Sequence, residues 1–433
     1  MPPEIISRIA GCLLDKHAPG TGSILPLTHV CQYWRESITS APENWTLISS
    51  CQMGLMKLNL ERSKAAPLQL KLDPPMSCRA GSRARFCDLI TPYIQNVETL
   101  RFEQLTKVEE LTQMLPNFPL STPNLRLLEL GHEGFGPLLD PSTDPFESFP
   151  DTLRSLALYD LPLYPSFLKI RTLTELSLRY CAVQPPLHTL LDFLEGNRSL
   201  ESVDLHIYHE EYPAQIPRRR EVVLNQLHRL SISSWDPMVA RTLISTISLR
   251  RGTRLNIAFP DEDTELGLNE TLSGISTTHL LNLPSPTFMT YRSSIREIHL
   301  TGPNGSFSYT HVQPPAPPFA EFSVLPPTDI KELHLAHSDP SVVFHPSSFP
   351  VLETFTIECN TDVSHLFSAL LPDPSFFPSL RTLKFLDCVI TEEFTEELTR
   401  FASSRKNTTS ARLHRVEFIY QGGKFSTLLQ LTD

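Results

Sequence analysis

Apolar residues recur along most of this chain in one short pattern: apolar, two variable positions, apolar, one variable, apolar. It reads LRLLEL from Leu125, LRSLAL from Leu153, LTELSL from Leu173, LESVDL from Leu200 and LHRLSI from Leu227. It returns as IREIHL from Ile295, IKELHL from Ile330, LETFTI from Leu352, LRTLKF from Leu380 and LHRVEF from Leu413, with an earlier copy, VETLRF, from Val97. Each copy predicts a short strand, and the near-even intervals between the starts at Leu125, Leu153, Leu173, Leu200 and Leu227 predict a regular stack. The longer interval from Leu227 to Ile295 has room for two more copies, with LNIAF from Leu255 and HLLNL from His279 as the expected strands. PPLHTLLDFLEGN and PMVARTLISTISL carry helical spacing, whereas VQPPAPPF from Val312 predicts an extended connector. A strand-plus-helix unit of this size cannot bury its apolar positions alone, and stacked neighbours can.

The amino-terminal stretch from Met1 to Ile48 does not fit the repeat. The run PEIISRIAGCLL places Ile5, Ile6, Ile9, Cys12 and Leu13 on one helical stripe, with Pro2 and Pro3 suited to the first turn and Glu4 to the positive end of the helix dipole. Leu27, Val30, Cys31, Trp34 and Ile38 predict a second amphipathic helix, and a third short turn begins near Pro42 and carries Trp45 and Ile48. Two of the three tryptophans, Trp34 and Trp45, thus fall in a segment too small to enclose them completely. Such an open apolar face suits protein docking, Trp being the residue most enriched at interface hot spots; equally, the segment could be a cap on the first repeat with the tryptophans in its private core.

Composition narrows the function classes. Proline outnumbers glycine 39 to 16, which demands many short elements joined by rigid loops. The net charge of -11, with Arg218 to Arg220 as the one basic run, argues against nucleic acid as the main partner. No apolar run approaches a membrane span and no secretory leader is recognisable, so no membrane association is expected and the expected location is cytoplasmic or nuclear. Eight scattered cysteines without a C-x-x-C pair read as reduced thiols, and the Asn44-Trp-Thr sequon as unglycosylated. Phosphate-cradling, zinc-protease and nucleophile-elbow motifs are missing from the sequence, and the acidic cluster Asp261, Glu262, Asp263 and Glu265 lacks the spacing of a calcium loop. Neither catalysis nor a cofactor or metal is expected.

LTELSLRYC, LRTLKFLDC and LETFTIECN match the L-x-x-L-x-L-x-x-N/C consensus of leucine-rich repeats, with Cys181, Cys388 and Asn360 at the turn-forming position. The resemblance implies an α/β repeat solenoid over residues 49–433, a horseshoe with a parallel sheet on its concave face. The side chains between the leucines would then form a target-binding surface: Glu175 and Arg179, Asp204 and His206, Glu297 and His299, Glu332 and His334. A plain solvated sheet face is the alternative for any one of them.

MPPEIISRI, LTHVCQYWRE and APENW resemble an F-box, and LERSKAAPLQLKL resembles the stretch next to it in large fungal families that join an F-box to degenerate leucine-rich repeats. The similarity covers residues 1–48 and implies a three-helix module that docks a Skp-type adaptor, and through it a cullin-RING ubiquitin ligase. Pro2, Ile5, Ile6, Ile9, Leu13, Leu27, Val30, Cys31, Trp34 and Trp45 would make that contact. A chain of this kind is expected to be a substrate receptor that presents an unidentified protein target and performs no chemistry itself. A non-catalytic repeat scaffold, its amino-terminal module only a cap, is the other reading.

Overall fold

The apolar pattern becomes a strand at every copy in a computed structural model, which describes residues 1–16, 24–49, 53–72, 85–86, 88–105, 122–132, 144, 146, 149–161, 163–180, 186–207, 221–234, 237–249, 253–259, 288–292, 297–302, 305–311, 329–336, 349–358, 363, 377–408, 413–419 and 426–430. The expected strand at His279, the connector from Val312, the acidic cluster at 261–265, Arg218 to Arg220, Cys181 and Asn360 lie outside these residues. The chain divides into two units, Met1–His209 and Glu210–Asp433, and its class is α/β, with helices set against a large parallel sheet.

In the first unit the order is α1 (Pro3–Lys16), α2 (Gln32–Ser40), β1 (Leu47–Ser49), α3 (Met53–Ser63), β2 (Leu68–Leu72), β3 (Val97–Leu105), β4 (Leu127–His132), β5 (Ser155–Tyr159), β6 (Glu175–Arg179), α4 (Leu187–Gly196) and β7 (Ser202–Ile207). Each strand pairs in parallel with the next, β1 through β7. Register places every copy of the pattern directly on its neighbour: Leu128, Leu156, Leu176 and Val203 form one row, and Leu130, Leu158, Leu178 and Leu205 the next. These side chains, with Leu125, Leu153, Leu173 and Leu200 at the first position, are all buried. Full burial of such a side chain contributes roughly 1.5–3 kcal/mol, so the columns are the main source of cohesion.

Two polar ladders run beside the leucine columns. At the second position, the amide of Arg126 donates to Glu98 O (2.8 Å), Arg154 to Arg126 O (2.8 Å), Thr174 to Arg154 O (2.7 Å) and Glu201 to Thr174 O (2.7 Å). Just before the first position, the hydroxyls of Thr152, Thr172 and Ser199 donate to the carbonyls of Leu125, Leu153 and Leu173, one copy back, at 2.9, 2.8 and 2.8 Å. Asn197, fully buried at the end of α4, accepts from the Leu173 amide (3.1 Å) and donates to Ile170 O and Phe193 O (both 2.9 Å). At the eighth position the backbone enters the left-handed region at Asp160 (φ 54°), Tyr180 (φ 55°) and, in the second unit, Asp387 (φ 52°). The Asp160 amide donates to Arg179 O (2.8 Å), tying that turn to the following strand.

The amino-terminal helices deviate from expectation. The predicted second helix is broken: Pro26 opens a 3-10 turn over Leu25–His29, Cys31 is extended (φ -160°, ψ 173°), and α2 begins only at Gln32. Thr28 stabilises the break, its hydroxyl donating to Leu25 O (2.7 Å) while its carbonyl accepts from Arg35 Nε (3.0 Å). The third turn, Pro42–Trp45, forms as expected, and Ile48 continues into β1.

The second unit holds β8 (Val222–Val223), β9 (Arg229–Ser234), α5 (Pro237–Thr246), β10 (Ile247–Ser248), β11 (Arg254–Phe259), β12 (Phe288–Arg292), β13 (Glu297–Gly302), β14 (Gly305–His311), β15 (Glu332–Ala336), β16 (Thr354–Glu358), β17 (Thr382–Leu386), α6 (Glu392–Thr408), β18 (Arg415–Ile419) and β19 (Ser426–Gln430). The parallel stack holds across β12, β15, β16, β17 and β18, and across β9, β11 and β14. An entirely parallel sheet, as predicted, is not what forms here. β13, which carries Glu297 and His299, runs antiparallel to both β12 and β14, and β19 antiparallel to β18. The reason is chain length: the link between the paired Gly302 and Gly305 is far too short for the crossover that parallel neighbours require. Of the predicted turn residues, Cys388 is buried and its thiol donates to Leu386 O (3.3 Å) and Ile357 O (3.5 Å). α6 seats Phe394, Leu398 and Phe401 inward, and Arg405 continues that stripe, fully buried, with Nη2 donating to Phe377 O (3.1 Å) and Leu380 O (3.3 Å). Burial pulls its guanidinium below its ordinary value.

Asn197→Ala strands one buried amide and two carbonyls and is expected to lower the unfolding free energy by about 3 kcal/mol, against about 1 kcal/mol for Thr172→Val. Urea titration of both variants measures the difference.

Candidate interaction surfaces

Because strand side chains alternate, burying positions four and six turns positions three, five and seven to the opposite face of the sheet. In the first unit that face carries an interlocked row of polar groups. Arg101 Nε lies 3.1 Å from the Glu129 carboxylate. Tyr159, in register with Gly131, stands under the Arg179 guanidinium, whose carbon is 5.4 Å from the ring centroid. A Cβ at residue 131 would meet Phe102 O at 3.4 Å and Tyr159 at 3.7 Å, ordinary van der Waals contacts, so the ring's place does not depend on the glycine. Burial, and then the Glu129 carboxylate, push the Tyr159 phenol up.

The row ends on Asp204. Arg179 donates to its Oδ2 from Nε (2.9 Å) and Nη2 (2.6 Å), Ser177 donates to the same oxygen (3.4 Å), and His206 Nε2 lies 3.3 Å from Oδ1. Desolvation acts to raise the Asp204 carboxyl, but hydrogen bonds from His206 and Arg179, with their charges, together outweigh it and hold it far below the usual carboxylate range. Four of the predicted target-binding residues therefore belong to one strand pair, in two states. Arg179, Asp204 and His206 are committed to each other, while Glu175 is exposed and accepts from Ser155 Oγ (3.0 Å).

The other four residues lie in the second unit. His334 and Glu332 sit on β15, with His334 Nε2 3.0 Å from the Glu358 carboxylate of β16 and Glu332 exposed. His299 shares a cross-strand row with His334 through Thr290, and Glu297 pairs in register with Arg292. Lys384 Nζ lies 3.7 Å from Glu417, which Arg415 also engages.

A second surface lies on the amino-terminal helices, where Ile6, Ala10, Ile24, Ile38 and Trp45 form a closed core. Ile6 and Trp45 were expected to touch a partner, and both are buried. The helical period turns Ile6 and Ala10 of α1 inward together, and Trp45 donates from Nε1 to Ile38 O (3.0 Å) with the Arg62 guanidinium of α3 over its ring at 4.4 Å. Trp34 and Leu27 are half-buried against this core. Ile9 is half-buried, and Leu13 lies further along α1. Outside stand Pro2, Ile5, Val30 and Cys31, with Cys12, Met1 and Tyr33, whose hydroxyl donates to Met1 O (2.7 Å) and ties the start of α1 to α2. Val30 is 59% exposed and Ile5 41%. Asn44 is buried, its amide donating to Ile38 O (3.3 Å) and its oxygen accepting from Ser7 (3.0 Å).

Among the described residues, no group of His, Cys, Asp and Glu is arranged to hold a metal ion, and no helix is long and apolar enough to cross a membrane. No family model matches the chain, and no curated protein matches it. The hydroxyl ladder and the Tyr159–Arg179 stack were missed by pattern reading. The ladder is marked by Thr or Ser directly before the first leucine at 152, 172 and 199, a signal outside the repeated apolar pattern itself.

Asp204 has a lowered folded-state pKa, so its stabilisation is complete above its unfolded value of about 3.9 and is lost as pH falls from there toward the folded value. Asp204→Asn is expected to cost about 1–2 kcal/mol near pH 7, discounted because Arg179 is partly exposed, with the deficit unchanged to about pH 5 and shrinking below about pH 4. Denaturant midpoints of the two proteins across that range test the sign and the window.

Proposed function

We propose that this chain is a non-catalytic substrate receptor. Its amino-terminal helices act as an F-box that docks a Skp-type adaptor, and through it a cullin-RING ubiquitin ligase, while a leucine-rich horseshoe holds a protein target on its concave face. One observation carries the reading: Ile5, Val30, Cys31 and Tyr33 stay exposed to solvent on helices whose core of Ile6, Ala10, Ile24, Ile38 and Trp45 is already closed. Apolar side chains left outside an otherwise closed helical module suit a docking role, and the resemblance of MPPEIISRI and VCQYW to an F-box supplies the partner. The contribution to ubiquitin transfer is proximity, since a tethered target meets the ligase's charged carrier at high effective concentration.

Trp45 favours a second reading. Its ring is sealed between the helical core and Arg62 of α3, and the chain passes from it directly into β1, which pairs with β2. That is how a cap on the first strands is built, and a cap need not dock anything.

The two readings part on Ile5→Glu and Val30→Glu, which place charge at these exposed apolar positions; glutamate in the first turn of α1 also suits the helix dipole. Under the receptor reading each variant keeps the parent's melting temperature and loses at least about tenfold in affinity for the purified adaptor, a hot-spot effect. Trp45→Ala should instead lower stability by about 3–5 kcal/mol. Failure of the unmodified chain to bind adaptor, measured by pull-down and calorimetry, leaves the cap.

A further inference from the structure

On the sheet face opposite the leucine columns, basic side chains meet acidic ones on the adjacent strand: Arg101 with Glu129, Arg179 with Asp204, Lys384 with Glu417. The pair between β9 and β11 breaks that rule. Register sets Arg254 on Arg229, with the buried Leu255 on Leu230 and Ile257 on Ile232, so both arginines take position three of that outer face. Both are exposed, and among the described residues neither guanidinium has a hydrogen bond or an ion pair. Like charges at facing strand positions repel. Lys71 and Arg101 are also in register, but there Glu129 stands on the other side of Arg101.

The adjoining strands bring no carboxylate to answer them. β9, β11 and β14 lie side by side and contain no Asp or Glu, in a chain where those residues outnumber Lys and Arg 48 to 37. Glu297, on β13 beyond β14, is in register with Thr310, at the other end of β14 from the arginines. The place of Arg254 is nevertheless fixed, its amide donating to His228 O (2.7 Å) and the hydroxyl of the preceding Thr253 to Leu227 O (2.9 Å). Two residues further along the same face, Asn256 Nδ2 donates to Ser231 Oγ (3.2 Å), so the floor beside the arginines is polar and neutral.

We infer that Arg229 and Arg254 form an anion clamp that holds one acidic side chain of the target, a carboxylate or a phosphate, over β9 and β11. The inference rests on the reading of the repeats as the target-holding surface. Neighbouring strands stand roughly 4.8 Å apart, so two guanidiniums rising from facing positions reach a single anion. Each presents the planar fork that pairs with carboxylate or phosphate oxygens. An anion there turns one repulsion into two attractions, and the Ser231–Asn256 pair sets no charge against it.

The test uses the full chain and immobilised synthetic peptides, identical except for a central Glu-Glu, phosphoserine, Ser or Lys. The chain should retain the better of the Glu-Glu and phosphoserine peptides about tenfold more than the Ser and Lys peptides, and the ranking of those two tells carboxylate from phosphate. Arg229→Gln and Arg254→Gln should each remove the preference at a melting temperature equal to or above the parent's, because each relieves the repulsion. Equal retention of the four peptides, retention of none, a preference that survives in either variant, or a melting temperature several degrees lower in either overturns the inference. So does retention that appears only after Asp261→Asn, Glu262→Gln and Asp263→Asn are combined, which assigns the arginines to the chain's own acidic run. Adaptor binding, measured on the same preparations, separates this outcome from failure of the receptor reading.

Discussion

Everything in the repeating part depends on the burial of three apolar positions per copy against those of the copies on either side. A single strand such as β5 would leave Leu153, Leu156 and Leu158 in water; between β4 and β6 all three are buried. Cohesion is therefore a nearest-neighbour property, and each interface adds its own share. The second-position amide ladder and the hydroxyl rungs from Thr152, Thr172 and Ser199 do for direction what the leucines do for cohesion. A slip of one residue would put the leucines on the polar face, and the rungs oppose it by satisfying carbonyls that hold register.

The same alternation creates the outer face, where the chemistry has a different logic. Asp204 sits low on that face and is claimed by three neighbours, so its charge serves the structure. Glu175, at the start of β6, stands outside that set, exposed and accepting from Ser155. Repeat proteins separate these duties readily, because a position excluded from the column and the ladder can vary without loss of register.

The amino-terminal helices show the same division at smaller scale. Ile6, Ala10, Ile38 and Trp45 close a core, and the break at Cys31 rotates Val30 out of it. Had the predicted continuous helix formed, Leu27, Val30, Trp34 and Ile38 would have shared one stripe. A proline and a threonine in the 3-10 turn decide how much apolar surface this segment offers.

The strands, their inward residues and the helices after Pro186 and at Pro237 were legible in the sequence, because a period of two or of 3.6 is written directly into the order of side chains. So was the existence of a separate helical segment with its tryptophans. Three features were decided only in three dimensions. Trp45 is buried and Val30 exposed because neighbouring elements cover one and not the other, and no helical period encodes that cover. β13 runs antiparallel because so short a link cannot cross over, although its pattern IREIHL is indistinguishable from those of its parallel relatives. Arg179, Asp204 and His206 act as one group because register lays β6 beside β7 and brings Arg179 to the Asp204 carboxylate, which His206 approaches from two residues along the same strand. Local order in the chain specifies which face a residue takes; what it meets there depends on partners distant in sequence.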